Sequence, residues 1–393
     1  MVNARFSAPL RTVQVVNVRW FNATAWYGLK LALLLKEAGH DSHVIALPGT
    51  ETFHRAEAWG LAPVPLDLNV KNPLALPGLL AAMRRLLREI RPQVVNCHRG
   101  ESFAFWGLLK AWGNYALVRT RGDQRLPKNN LPNRLLHTRA ADAVVATNSV
   151  TARHFSRRLG VPAARVHTIF GGVDTTAFRF DPAGRAAVRA RCGFTDEHFL
   201  VGLLGRFDHV KAQKESLFAL GRLIRQGISR VRLLLLGFPT AVSREEVDGW
   251  IREAGVADQV LITGKVDDVP AWLSALDLGI VPSLWSETIA RAALEMMACG
   301  LPLLSTPVGV MPDLLPPEAL IAPPDWQTPS RLAAALPDAL AEAVRRGVAS
   351  PDWLKDLARR NTERIQTLRD EDFLEQSLAV YAEALHRRGS RRS

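Results

Sequence analysis

The 393-residue sequence is poor in cysteine, and its three, Cys97, Cys192 and Cys299, show no Cys-x-x-Cys spacing and no neighbouring histidine pair. That excludes a disulfide framework and a tetrahedral zinc site, and the thiols read as small buried side chains. No stretch approaches 18 uninterrupted apolar residues, so no membrane-spanning helix is predicted. The opening "MVNARFSAPLRTVQVVNV" lacks the charged-then-apolar layout and small-residue cleavage site of a signal peptide, and a cytoplasmic protein is expected. Missing too is a Gly-x-Gly-x-x-Gly turn. The first predicted strand ends in "VVNV" and runs into "RWFNATAWYG" with only Gly28, and neither half supplies the triplet elsewhere, which argues against a dinucleotide-binding dehydrogenase.

What is present is length, apolar content and an uneven charge. With 48% apolar and 22% charged residues the chain has material for two cores. The net charge is +12, but residues 1–172 hold 23 basic and 9 acidic side chains, whereas residues 173–393 hold 27 and 29. One basic half beside one neutral half points the first towards something anionic, such as a membrane surface, a phosphorylated lipid or a nucleic acid. Solvated arginine-rich helices are the plainer alternative. The basic residues follow ordinary helix periodicity and no nucleic-acid motif accompanies them, so nucleic acid is set aside.

In the first half the runs "TVQVVNV", "DSHVIAL", "QVVNCH", "YALVRT" and "AVVATNS" alternate with helical patterns; in the second, "FLVGLLG", "VRLLLLG", "QVLITGK", "LGIVPS" and "LPLLST" do the same. Continuous apolar strands alternating with helices predict parallel sheets covered on both faces. "FGGVDTTAFRFDPAGRAA" reads as a linker. The organisation expected is α/β: residues 1–172, residues 173–370, and a helix with a disordered basic tail over 371–393. Two doubly wound domains in tandem are expected to place a cleft between the carboxyl ends of their sheets.

Two segments of the second half carry chemistry. "LLGRFDHVKAQKES" leaves a strand through Gly205 and Arg206 and reaches Lys211 at the start of a helix. A guanidinium, an ammonium and a helix N-terminus together fit a diphosphate, with a surface-exposed basic loop as the alternative. "SETIARAALEMMACGLPLLSTPVGV" carries Glu287 and Glu295 eight residues apart, on a helix predicted from about Thr288 to Ala298. Eight helical residues are about 12 Å of rise, too far for the two carboxylates of a glycoside hydrolase. They suit two parts of one extended ligand: Glu295 a ribose, Glu287 a sugar nearer the loop. Glu295 stands among Ala292, Ala293, Leu294, Met296 and Met297, where a carboxylate needs a partner.

The Glu-x7-Glu spacing, with "PSLWSE" before it and "ALEMMACGLPLLSTPVGVMPDLL" after it, resembles the donor-site signature of retaining glycosyltransferase family 4 on the GT-B fold. "GRFDHVK" is similar to that family's phosphate-binding Gly-Arg…Lys segment, "GGVDTTAF" to its linker, and "LLKEAGHDSHVI" to its helix-Gly-His-strand, so the likeness runs along essentially the whole chain. The resemblance implies two Rossmann-like domains facing a cleft, with a C-terminal helix packing back on the first, and retaining transfer of a sugar from a UDP-, GDP- or ADP-linked donor to a hydroxyl, without a metal or other cofactor. It implies a glycan or glycolipid acceptor, as in bacterial lipopolysaccharide or other cell-surface synthesis, and the basic first half adds the expectation of peripheral docking on the cytoplasmic face of the inner membrane. A non-catalytic sugar-nucleotide-binding protein and a GT-B sugar-nucleotide epimerase stand as alternatives.

Carried onto this sequence, the family's donor site falls on Gly205, Arg206, Lys211, Val266, Glu287, Thr288, Ile289, Ala290, Arg291 and Glu295. Its acceptor side falls on Asn22, Thr24, His98, Arg99 and Arg121. The sequence also departs from the pattern: Ala290 stands for a glycine, Arg291 for an apolar residue, Val310 for the second glycine of a pair and Gly171 for an asparagine. In "VRTRGDQR" Gly122 falls where many members carry a catalytic histidine, and Arg121, Asp123 and the upstream His98 are left as candidates to serve instead. In the first half, the helix around 79–90 sets Arg84, Arg85, Arg88 and Arg91 opposite an apolar side, Arg153, Arg157 and Arg158 follow, and Phe103, Phe105, Trp106 and Trp112 are candidates to insert at a headgroup boundary.

Overall fold

A computed structural model describes residues 6, 8–69 and 72–390. The chain forms two compact units: residues 172–369 make one, and the chain up to Gly171 joins the chain from Asp370 onward to make the other. The breaks thus fall after Gly171 and after Arg369, and the final helix belongs to the first unit, on which it was expected to pack back.

The first unit is built on seven parallel strands, β1 (Arg11–Val16), β2 (Asp41–Ala46), β3 (Val64–Pro65), β4 (Val94–Cys97), β5 (Ala116–Arg121), β6 (Ala143–Ala146) and β7 (Val166–Thr168), in the order β3-β2-β1-β4-β5-β6-β7. The five central strands are the apolar runs of the sequence, and they read as unbroken runs because helices cover both faces of the sheet. β3 and β7, two and three residues long, carry no periodicity a sequence can show; they exist because their backbones find a register, Ile45 beside Val64 and Val144 beside Val166.

The last helix, Asp370–Ser390, lies on this sheet and closes its core. Phe373 packs on Tyr27 with ring centroids 4.6 Å apart, and the Tyr381 hydroxyl accepts hydrogen bonds from Gln14 Nε2 and Asn96 Nδ2, both at 3.0 Å. Lys30 holds Asp370 at 2.6 Å. Buried amides on β1 and β4 thus complete their hydrogen bonding with a residue more than 280 positions later in the sequence, alongside His98 and Thr120 from the same unit. The helix continues through the basic stretch to Ser390, with Arg388 donating to the Lys110 and Gly113 carbonyls; of the tail expected to be disordered, Arg391, Arg392 and Ser393 lie outside the described residues.

The second unit has five parallel strands, β8 (Phe199–Leu204), β9 (Val231–Leu236), β10 (Val260–Ile262), β11 (Leu278–Val281) and β12 (Leu303–Ser305), in the order β10-β9-β8-β11-β12. The stretch expected to be a linker is largely part of this unit. Val173 pairs with Arg369, Asp174 folds a turn by accepting from Thr176 and Ala177, and a helix starts at Pro182.

Among the described residues no helix is long and apolar enough to cross a membrane. Cys97 and Cys299 are buried as expected; Cys192 is only partly so.

Candidate functional site

In sheets of this order the winding reverses between β8 and β11, and in the first unit between β1 and β4; such folds bind ligands outside the carboxyl ends of those strands. In the second unit β8 delivers the chain into residues 205–212. Gly237, at the end of β9, lies so close to this turn that a Cβ there would stand 1.9 Å from the Gly205 carbonyl oxygen. Arg206 is exposed and its guanidinium sits 3.0 Å from Asp208, whose carboxylate also caps the turn His209–Lys211 by accepting from the Val210 N–H at 3.1 Å. Gln213 donates to the Arg206 carbonyl at 2.9 Å. The basic loop is therefore held from three sides.

The loop after β11 is laced to it, Leu284 N–H donating to the Val210 carbonyl at 2.9 Å. Glu287, 6% exposed, accepts through Oε2 from Lys211 Nζ at 2.7 Å and from Ser283 Oγ at 2.7 Å. Its own carbonyl accepts from Val310 N–H at 2.7 Å. Gly309, at φ +64°, leans on that carbonyl so closely that a Cβ would fall 2.0 Å from the oxygen. The retained glycine of the Gly309–Val310 pair is thus the one whose position forbids a side chain. Lys211 and Glu287, assigned from the sequence to phosphate and sugar, form one ion pair, and a lysine ammonium has three donors, of which this takes one.

The predicted helix from about Thr288 starts instead at Arg291. Ala290 is in the left-handed region at φ +55°, which holds residues 283–290 in a loop tied down by Val310 and Gly309. Glu287 and Glu295 therefore do not share a helix, and the rise and rotation of a single helix do not relate them. Glu295 does lie on the helix Arg291–Ala298, 13% exposed in its side chain, and its partner is Arg291 one turn earlier at 3.0 Å. Burial raises its pKa, with Arg291 opposing. Ala212, at φ +56°, precedes the helix Gln213–Arg225 as Ala290 precedes Arg291–Ala298, and neither helix has a side-chain cap. Two strained alanines at one site, each costing about 1 kcal/mol, thus precede two helix starts; that of Arg291–Ala298 has no acidic residue in its first turn and suits an anion, whereas Glu215 stands in the first turn of Gln213–Arg225. Ile289 and Ala290 are buried and Thr288 and Val266 half-buried, Val266 in the loop that follows β10.

The first-unit candidates divide. His98, directly after β4, is fully buried: Nε2 lies 2.9 Å from Gln14 Oε1, Nδ1 has no partner among the described residues, and a Cβ on Gly28 would meet the ring at 3.1 Å. Burial, aided by Arg119, pushes its pKa down to about 3. It is a neutral core side chain, and neither the catalytic nor the acceptor-side role expected of it is open to it in this position. Thr24 is likewise buried, and Asn22 caps the helix Ala23–Glu37 by accepting from the Ala25 N–H at 3.1 Å. Arg99, Arg121 and Asp123 do gather at the carboxyl end: Arg99 Nε donates to Glu101 at 2.9 Å, and Arg121 lies 3.4 Å from Asp123. Burial lowers the Arg121 pKa, whereas the hydrogen bond to Glu101 raises that of Arg99.

Beneath them lies a residue the sequence reading passed over. Arg119 is 1% exposed, donates to the Cys97 carbonyl at 2.7 Å and lies over the Phe103 ring, and burial pushes its pKa down to about 10. It was hidden as the one charged letter inside the strand "YALVRT". Ser283, Asp208, Gly237 and Gly309 were missed as well, and only the glycines closing "VRLLLLG" and in "PVGV" left a signal. Among the described residues no group of three or more His, Cys, Asp or Glu side chains could hold a metal ion.

Residues 198–348 match the family described as Glycosyl transferases group 1, and residues 25–177 the family described as Glycosyltransferase Family 4. A curated relative, D-inositol 3-phosphate glycosyltransferase of Segniliparus rotundus, is 31% identical over 221 residues, 53% of this chain. The chain spans about half the length of that relative, 48%. Among solved structures, a glycosyltransferase from Rickettsia africae superposes with a TM-score of 0.81 at 17% identity, covering 96% of this chain and 99% of the other. Anabaena HepE in complex with UDP gives 0.79 at 17% identity, over 94% and 99%. These neighbours share the fold: two Rossmann-like domains of the GT-B class. Two consecutive family matches, the order of the motifs and the winding of both sheets agree, and the chain belongs to the family 4-like glycosyltransferases.

Proposed function

We propose that the protein moves a sugar from a nucleotide diphosphate sugar to an acceptor hydroxyl, with retention at the anomeric carbon and without a metal ion. The observation that carries this reading is the Lys211–Glu287 pair, fixed where the loops after β8 and β11 meet and flanked by two helix starts without side-chain caps. In such a transfer the bond from the anomeric carbon to the β-phosphate oxygen breaks and a bond to the acceptor oxygen forms on the same face. The acceptor proton passes to the departing phosphate. Negative charge grows on that phosphate, and donors already in place stabilise it without reorganisation. Lys211 supplies an ammonium, exposed Arg206 a guanidinium. Glu287, held in place by Lys211 and Ser283, accepts from sugar hydroxyls and takes no covalent part. Glu295 holds the ribose in exchange for part of its bond to Arg291.

The acceptor belongs to the first unit in this reading. That unit holds 27 basic and 14 acidic residues against 23 and 24 in the second, so its surplus favours a phosphorylated glycan or glycolipid, in keeping with a relative that acts on an inositol phosphate. The same charge would bring the protein to the anionic cytoplasmic face of a membrane. Of the aromatics expected at a headgroup boundary, Phe103 and Trp106 are buried in the core and Phe105 packs against it; Trp112, 62% exposed, remains.

Stabilisation against heat by a panel of nucleotide diphosphates and their sugars tests the donor class, and donor turnover in the presence of a chelator tests the chemistry. No protection by any nucleotide sugar, or activity abolished by the chelator, overturns the reading. Co-sedimentation with anionic vesicles at low salt, lost at high salt, is expected for the membrane part.

A further inference from the structure

A cavity of about 810 Å³ opens in the first unit among Arg11, Arg84, Arg88, Arg91, Trp112 and Tyr115. Arg11 begins β1, Arg91 and Gln93 precede β4, and Tyr115 precedes β5, so the cavity lies at the amino ends of the strands. His98 and Arg121 are at the other end of the sheet, roughly 20 Å away by the rise of a six-residue strand. No lining residue is acidic. Among the described residues Arg84, Arg88 and Arg91 have no carboxylate partner, while the neighbouring Arg85 takes Glu89. Four guanidinium groups on one cavity repel each other unless an anion sits between them.

Two features show that the cavity is shaped and not merely charged. Arg84 is stacked over the Trp112 ring at 4.6 Å, and Arg11 Nε donates to the Arg91 carbonyl at 3.0 Å. Arg91 itself ends the helix Leu76–Ile90 in the left-handed region, φ +49° and ψ +55°, where glycine is the unstrained choice. A guanidinium is held there against backbone preference, a pattern associated with binding sites.

We infer that this cavity is a second anion site, separate from the donor loop, which takes a ligand bearing two or more phosphate charges. Forked guanidinium groups are the side chains suited to phosphate oxygens, and several on one wall select multiple over single charge. A soluble polyphosphorylated compound and a phosphomonoester lipid headgroup share this chemistry. The inference does not depend on glycosyl transfer.

Titration calorimetry of the full-length protein with tripolyphosphate tests it, in wild type and in Arg88→Ala, Arg91→Gly and Arg206→Ala. Saturable binding should survive in Arg206→Ala, which disarms the donor loop, and weaken at least tenfold in each pocket variant. Arg91→Gly relieves the strained backbone, so its Tm should rise while its binding falls; a merely structural arginine would not separate the two. Binding unchanged in both pocket variants, or lost only in Arg206→Ala, overturns the inference. Phosphatidic acid vesicles then identify the source. Vesicles released by tripolyphosphate assign the cavity to headgroup and soluble phosphate alike, and vesicles unaffected by saturating tripolyphosphate assign it to the soluble ligand.

Discussion

Both units wind parallel strands in the same central order, β3-β2-β1-β4-β5 in the first and β10-β9-β8-β11-β12 in the second, yet they furnish the carboxyl ends differently. In the second, charged groups stand paired in loops laced to one another: exposed Arg206 on Asp208, and half-buried Lys211 on buried Glu287. In the first, the chain uses the equivalent region to bury His98 and Arg119, beside a layer of Arg99, Glu101, Arg121 and Asp123 at the carboxyl end. The winding fixes where a ligand would lie. Whether the groups there are free to meet one depends on how deeply the packing has drawn them in.

The sharpest test of that contrast is Lys211→Ala against Arg121→Ala. Loss of Lys211 removes a preorganised charge and is expected to lower kcat by 10²–10³-fold, about 3–4 kcal/mol. Arg121→Ala should lower kcat by less than tenfold and act chiefly on the acceptor KM. Steady-state kinetics on both decides, and equal losses would break the comparison. Next is Gly309→Ala. With a Cβ forced to 2.0 Å from the Glu287 carbonyl and φ at +64°, the loop must shift, and a loss of about 3 kcal/mol by urea unfolding is expected, with turnover falling in the fraction still folded.

Acid should act on the first unit. His98 and His137 have folded pKa values pushed down to about 3 and about 4, mainly by burial, against 6.5 when unfolded. Lowered values mean that the stability is present above 6.5 and is lost as pH falls towards the folded values, because the unfolded chain takes the protons first. Each histidine should withdraw about 2 kcal/mol between pH 7 and pH 5. His137→Phe, whose ring would sit between Phe103 and Phe155, should flatten the Tm–pH curve in that window; a slope as steep as wild type would show that His137 does not contribute. The smallest effect expected is from Ala290→Gly, a gain of about 0.5–1 kcal/mol from relieved strain at φ +55°, read as a rise in Tm.

Ten of the twelve strands could be read as apolar runs, because parallel strands buried on both faces need little besides apolar letters. Arg206, Lys211 and Glu287 were legible for a similar reason: charged residues just after such a run stand at its carboxyl end whatever the loop does. The start of the helix at Arg291 was not legible, since it depends on Ala290 adopting a conformation its residue type disfavours, imposed by Gly309 and Val310 from another loop. His98 misled because a histidine after a strand looks the same whether its ring turns outward or inward. The inward turn is set by Gly28, seventy residues earlier in the sequence, which leaves room for the ring.

The placement of Asp370–Ser390 bears on how the protein is made. The helix that supplies the Tyr381 hydroxyl to Gln14 and Asn96 leaves the ribosome only after the whole of residues 172–369. During synthesis the first 171 residues have their strands but lack the lid over two buried amides, whereas the unit encoded second can finish first. Birth order and completion order are therefore reversed. A polypeptide truncated anywhere before Asp370 would carry a completed second unit tethered to an unsealed first one, an aggregation-prone species that quality-control proteases would meet before any membrane or sugar did.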